Sequence, residues 1–272
     1  MAILISHERG SIPVGHDAPD SRTMSVGDAI QATCELIRLG RVLLIGELRG
    51  TSECPALVAG LAAESARQGL GVLIGIEVPR SEQESIDEFL ASDGAPDSIA
   101  ALTSGSFWHQ PSECDDGRSS KAILNLLCAL RAIRPGRDVS VCAFDLPWGA
   151  LGEPRDRAMA TRLVEAIAKN RNAMTIVLAG NEHTRITTRR HDATMPLGEY
   201  LNREFGDLVA LIGHNQGGTV RAATSQGEAE QAPLYADVTP IGQGWFANAM
   251  TDGHHGWVNV GVVSAAPPLS TT

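Results

Sequence analysis

The chain has 272 residues, an apolar fraction of 43% and a formal net charge of -10. That length holds one large α/β domain or two small ones with a buried core. The acidic balance argues against nucleic acid and anionic membrane as partners, since both require a basic surface. Five cysteines (Cys34, Cys54, Cys114, Cys128 and Cys142) are scattered and never spaced as CxxC, which argues against a disulfide framework and a structural zinc site. The two lysines, Lys121 and Lys169, lie outside every motif, which argues against a Schiff base. No basic segment leads into a long apolar run near Met1, and no run reaches the length of a membrane span, so a cytoplasmic location is expected.

Residues 1–22 are polar and rich in turn formers, an irregular arm. Ser25 and Asp28 have capping-box spacing, and Ile30, Thr33, Cys34 and Ile37 follow at helical spacing up to Gly40. The stretch Val42-Leu43-Leu44-Ile45-Gly46-Glu47 reads as a buried strand, and Leu48 to Glu53 as its turn into a helix over about 54–68, with Ser52 as N-cap. Gly71 to Val78 is a second apolar run, broken at Pro79 and followed by a helix from Ser81 to Leu90. Residues 92–120 form a long polar insertion, expected to act as a lid. A strong amphipathic helix carries Ile123, Leu126, Leu127, Leu130 and Ile133.

Val139 to Asp145 is a third strand, Met159 to Ile167 a helix, and Thr175 to His183 a fourth strand ending in a polar cluster. Beyond it the pattern predicts a short helix over 196–202, a strand over 208–212, a surface excursion over 214–234 and a last strand over 258–263. His254-His255, set between glycines, reads as a solvated turn. The β–α alternation predicts an α/β fold over 1–272, with a mixed, mostly parallel central sheet and flanking helices.

Four successive apolar runs end at Glu47, Glu77, Asp145 and His183. An acid at one strand end is ordinarily a cap or turn residue. Four in succession, on parallel strands, meet at one sheet edge, where open α/β sheets hold their ligands. Carboxylates gathered there repel one another, so at least one must be protonated, paired with Arg49 or Arg118, or metal-bound. Such a cluster suits acid–base chemistry, with His183 as the general base. His109, beside Trp108, is expected to line the pocket. The chain has no GxSxG elbow, P-loop, GxGxxG or HExxH motif. Cys54 stands at a helix start, but Glu53 beside it opposes a thiolate.

Gly46-Glu47-Leu48-Arg49-Gly50-Thr51-Ser52-Glu53 resembles the GE-x-HGT-x-E signature of the superfamily that joins erythromycin esterases, ChaN haem-binding lipoproteins and Tiki/TraB proteins. Ile76-Glu77-Val78-Pro79, Asp116-Gly117-Arg118-Ser119-Ser120, Ala143-Phe144-Asp145, Arg155 to Ala160 and Gly180-Asn181-Glu182-His183 resemble further blocks in the same order, over about residues 40 to 205. The resemblance implies metal-independent hydrolysis of a small-molecule ester, lactone or related metabolite, with Glu47, Glu77 and His183 at catalytic positions. Arg49 stands where the signature has histidine. A guanidinium accepts no proton, but it binds anions and holds carboxylates ionised.

The departure leaves three outcomes open: a hydrolase with another base, a non-hydrolytic cyclase, isomerase or lyase of a biosynthetic pathway, or ligand binding without turnover. Substrate contacts are expected from Arg49, Glu53, Trp108, His109, Arg118, Asp145 and Asn181. No cofactor is expected. The ChaN branch binds haem through tyrosine, and Tyr200 and Tyr235 lie outside the matched motifs. The Tiki branch uses a divalent metal, which the acid cluster could hold, although the missing histidine argues against it.

Overall fold

A computed structural model describes residues 23–109, 116–147, 154–189, 194–223, 229–234, 245–251 and 253–269. The expected N-terminal arm, Cys114 and Tyr235 lie outside these residues. The chain runs through α1 (Val26–Thr33), β1 (Val42–Glu47), α2 (Glu53–Arg67), β2 (Gly71–Pro79), α3 (Gln83–Ala91), α4 (Pro96–Leu102), α5 (Lys121–Ile133), β3 (Val139–Asp145), α6 (Arg155–Lys169), β4 (Ala173–Gly180), α7 (Leu197–Glu204), β5 (Leu208–His214), β6 (Gly218–Ala223), β7 (Ala229–Leu234), β8 (Trp245–Thr251) and β9 (His254–Asn259). The capping box is present: Ser25 Oγ accepts from the Asp28 N–H, and the Ser25 N–H donates to Asp28. Ser52 does not cap α2 through its side chain. Its N–H instead donates to the Ser264 carbonyl and to Glu53.

The central sheet has seven strands in the order β3-β2-β4-β1-β5-β9-β8. All neighbours run parallel except β8 and β9. The strands read as unbroken apolar runs because both faces are covered. Alternate residues Leu43, Ile45, Ile74, Ile76, Ile176 and Leu178 pack beneath α2, α3 and α5. Their neighbours Val42, Leu44, Leu73, Val177 and Ala179 pack against Met159 and Leu163 of α6 and Leu197 and Leu201 of α7. A helix layer therefore lies on each face, and the four parallel strands β1 to β4 end together at one edge.

Three expectations are corrected. Much of the 92–120 segment is packed rather than standing off as a lid: it contains α4, and Leu102, Phe107 and Trp108 are buried in the main core. The supposed surface excursion after 214 holds an antiparallel hairpin of β6 and β7. His254 and His255 are strand residues, not a solvated turn. His254 is fully buried with Nε2 3.0 Å from Thr184 Oγ1, and His255 Nδ1 accepts the Ala210 N–H. The short polar strands lacked apolar periodicity because their stabilisation comes from pairing within the fold rather than from burying one face. No helix among the described residues is long and apolar enough to cross a membrane.

Candidate active site

Glu47 ends β1, Glu77 sits near the end of β2 and Asp145 ends β3; all three are buried. His183 follows β4 in a turn whose N–H groups at His183 and Thr184 donate to the Gly180 carbonyl. The parallel register aligns these four strand ends, so the residues named from the sequence do meet.

Two glycines allow a loop to join them. Gly50 and Gly117 have φ of +81° and +84°. A Cβ on Gly117 would lie 2.4 Å from the Gly50 nitrogen. Only glycine permits that approach without strain. It brings Asp116 and Arg118 against the strand ends. Gly180 plays a similar part, since the Arg49 guanidinium lies about 3.0 Å from where its Cβ would stand.

Glu77 is the hub. One carboxylate oxygen, Oε2, accepts the Gly180 N–H at 2.9 Å. The other, Oε1, is paired with Arg49, accepts from Arg155 NH2 at 2.7 Å, and lies 3.7 Å from both Arg118 NH1 and His183 Nε2. Asp145 is gripped by Arg155 through Nε and NH2 at 2.8 Å each, and it pairs with Arg118 NH1. Asp116 accepts from Arg118 Nε at 2.7 Å. Burial works to raise the Glu77 pKa, but the charge and hydrogen bond of Arg49 and the charge of Arg118 pull the other way, and the carboxylate is held below its ordinary range.

Glu47 is the opposite case. Burial, reinforced by the negative charge of Glu77, pushes its pKa up from 4.5 to about 8, against the weaker pull of Arg49. Among the described residues no hydrogen-bond donor meets its carboxyl. Glu47 therefore keeps its proton at neutral pH while Glu77 stays ionised. Two carboxyl groups with opposed protonation are the arrangement that acid–base chemistry requires.

This has a consequence for stability. The folded chain holds the Glu47 proton up to about pH 8, whereas an ordinary carboxyl releases it near 4.5. The raised pKa therefore contributes stability at low pH that is lost as pH climbs through this window, at up to roughly 1.4 kcal/mol per pH unit. Glu47→Gln cannot titrate. Its denaturation free energy is expected to fall less than the wild type's between pH 5 and pH 8, and an identical slope in both proteins would refute the assignment.

His183 presents a defined tautomer. Nδ1 lies 2.6 Å from Asp156 Oδ1, and a carboxylate only accepts, so the proton sits on Nδ1. Nε2 lies 3.3 Å from Arg155 NH1, which only donates, so Nε2 carries the lone pair. Asp156 is fixed in turn, since Oδ1 also accepts the Leu197 N–H at the start of α7. The result is an oriented imidazole with a basic nitrogen toward Glu77.

Arg155 and Asp156 were not given site roles from the sequence, although their block was matched. An acid and a cation in the first turn of a helix read as solvated ends of that helix. In the fold the first turn of α6 lies against the strand ends, where Arg155 reaches Asp145 and Glu77.

The other expected contacts divide. Arg49, Arg118 and Asp145 belong to the cluster. Glu53 is turned away, and its two oxygens accept from Ser264 Oγ at 2.7 Å and the Ser264 N–H at 3.0 Å. Trp108 is a core residue, because its large apolar ring gains more by burial than at a pocket rim. His109 is exposed and makes no hydrogen bond to the cluster. Asn181 reaches the site through its backbone, whose N–H donates to the Glu47 carbonyl. Burial, with the charges of Glu47 and Glu53, pushes the Cys54 thiol well up, which disfavours a thiolate nucleophile.

The sequence raised two groups for this site, a divalent metal and haem. Among the described residues no three His, Cys, Asp or Glu side chains converge as metal ligands, because guanidiniums occupy the space between the carboxylates. Tyr200 packs against the apolar layer beneath α6 and α7 rather than at the strand ends, so it does not fit as a haem ligand there.

Comparison with known proteins is consistent with this geometry. The erythromycin esterase family matches residues 144–249, a span that carries Asp145, Arg155, Asp156 and His183. No curated protein matches the sequence. Among solved structures, a mutant of the erythromycin esterase EreC in its open conformation is similar at 14% identity and a TM-score of 0.56, covering 80% of this chain and 84% of that one. A Bacillus cereus protein is similar at 12% identity and a TM-score of 0.54, covering 82% and 78%. A succinoglycan biosynthesis protein is similar at 9% identity and a TM-score of 0.54, covering 78% and 81%. Identities this low speak to the fold, and the fold is that of the erythromycin-esterase-like proteins. Together with the family match they support the superfamily assignment drawn from the motifs.

Proposed function

We propose that this chain, erythromycin-esterase-like in fold, is a hydrolase that cleaves a small-molecule ester or lactone by general acid–base catalysis without a cofactor. The observation that carries this reading is the oriented His183–Asp156 pair, whose Nε2 lies 3.7 Å from the buried carboxylate of Glu77 at the strand edge that Glu47 also ends on. His183 Nε2 removes a proton from the attacking water, and the oxygen adds to the carbonyl carbon. As the tetrahedral intermediate collapses, the C–O bond to the leaving group breaks and Glu47 gives its proton to the departing alkoxide. The proton on His183 then restores Glu47, so the balance closes without an added reagent. Glu77 stays ionised throughout and stabilises the imidazolium.

Arg49 in the signature's histidine position favours a second reading, proton transfer without water attack, as in a cyclase, isomerase or lyase. A panel of esters and lactones run in oxygen-18 water separates the two. Label in the released acid is expected, and product formed without label would leave only the non-hydrolytic reading. Glu47→Gln keeps a donor of similar shape but has no acidic proton to give. It is expected to lower turnover by about 100-fold or more, with unchanged far-UV circular dichroism.

A further inference from the structure

We propose that the open face of this site binds a carboxylate between Arg49 and Arg155, so that the substrate is an anionic small molecule that unmasks the base on binding. Calling the anion a substrate rests on the acid–base reading above, whereas the anion site rests on geometry alone.

Arg49 NH2 and Arg155 NH2 both grip the same oxygen of Glu77. Two cations that share one acceptor are held within about two hydrogen-bond lengths of each other. Their side chains are 24% and 37% exposed, while those of Glu77 and Asp145 beneath them are 2% exposed. The cluster thus shows solvent its guanidiniums and keeps those carboxylates at its back. Arg118, expected from the sequence to take this part, is not available for it. Its side chain is 8% exposed, with Nε committed to Asp116 and NH1 to Asp145.

The free donors lie on the other two. Arg155 spends Nε and NH2 on Asp145 and Glu77, and among the described residues its NH1 makes only the 3.3 Å contact with His183 Nε2. Among the described residues Arg49 NH1 has only a 3.9 Å approach to Asp116. Two guanidiniums anchored on one Glu77 oxygen, each with a lightly used NH1, offer charge and donors to one carboxylate. Asp116, with a side chain 33% exposed, flanks the Arg49 side and repels an anion there, which turns the ligand toward Arg155. A carboxylate that draws the Arg155 guanidinium toward itself pulls NH1 off its 3.3 Å contact with Nε2, and the imidazole lone pair becomes free beside the bound molecule. A neutral ester lacks this trigger.

The test uses acetate as the probe and needs no turnover. The whole chain is labelled with nitrogen-15 histidine, and sodium acetate replaces sodium chloride at constant ionic strength. A saturable shift of the His183 Nε2 resonance is expected. Arg155→Met should weaken the acetate midpoint at least tenfold. Asp116→Asn should tighten it several-fold, a gain that damage to the fold would not produce. A response no larger than that to chloride, equal midpoints in wild type and Arg155→Met, or no tightening in Asp116→Asn would each overturn the proposal. Acetate binding in a protein that turns over no ester leaves the anion site standing and removes the hydrolase reading. Ester turnover without acetate binding does the reverse.

Discussion

Replacing His183 by alanine is expected to lower turnover by about 100- to 10,000-fold, the range typical of a lost general base. The fold should survive, because the ring is partly exposed and its partners are retained: Asp156 still accepts the Leu197 N–H, and Arg155 keeps Asp145 and Glu77. The informative companion is Asp156→Asn. Asparagine preserves the shape, but its amide can donate to Nδ1 and so favours the tautomer with the proton on Nε2. That form cannot accept a proton from water. A loss comparable to His183→Ala, with little change in KM, is expected of an orienting partner. Steady-state kinetics on whichever ester the panel identifies reads both, and full activity in His183→Ala would end the base assignment.

The second large effect is on stability. Glu77 is buried at the meeting point of three guanidiniums, a backbone N–H and an imidazole. Taking one partner out of a buried ion cluster leaves the others uncompensated, which costs about 3–5 kcal/mol. Glu77→Gln is therefore expected to lower the unfolding free energy by that order. Its pH dependence should change as well. The depressed Glu77 pKa contributes stability that is present above the ordinary carboxyl value and is lost as pH falls through the folded value. Glu77→Gln should accordingly lose less stability than wild type on acidification. Urea titrations at pH 7 and pH 4 measure both, and a variant as stable as wild type at pH 7 would show that the cluster balances its own desolvation without Glu77.

The roles of the two glutamates also bear on how Arg49 is understood. In the sequence it marks a departure from the esterase signature. In the fold it is an anchor, laid over Gly180 and paired with Glu77. The histidine it replaces leaves no gap in the base function proposed here, because His183 has its own orienting carboxylate. What Arg49 adds is positive charge at the open face.

Much of this was legible in the sequence. The apolar runs marked β1 to β4 because strands covered on both faces exclude polar residues along their length. Their terminal Glu47, Glu77, Asp145 and His183 marked the edge, since parallel strands separated by helices end on one side. The capping box at Ser25 and the amphipathic stripe from Ile123 to Ile133 were local signals and held for local reasons. The hairpin strands β6 and β7 were not legible, because GTVRAA and AEQAPL carry no apolar alternation and are held by pairing with each other.

The sequence by itself determined the layered α/β fold and the group of titratable residues at its strand ends. Only the tertiary structure decided which of them keeps a proton and which is paired with cations. Glu47 and Glu77 are the same residue type at equivalent strand ends, and sequence alone cannot tell them apart. The difference arises because Arg49, Arg118 and Arg155, from three separate segments, converge on Glu77 and leave Glu47 buried without a donor among the described residues. In a water-poor site the charge state of a carboxyl follows its neighbours, and those neighbours are set by the fold.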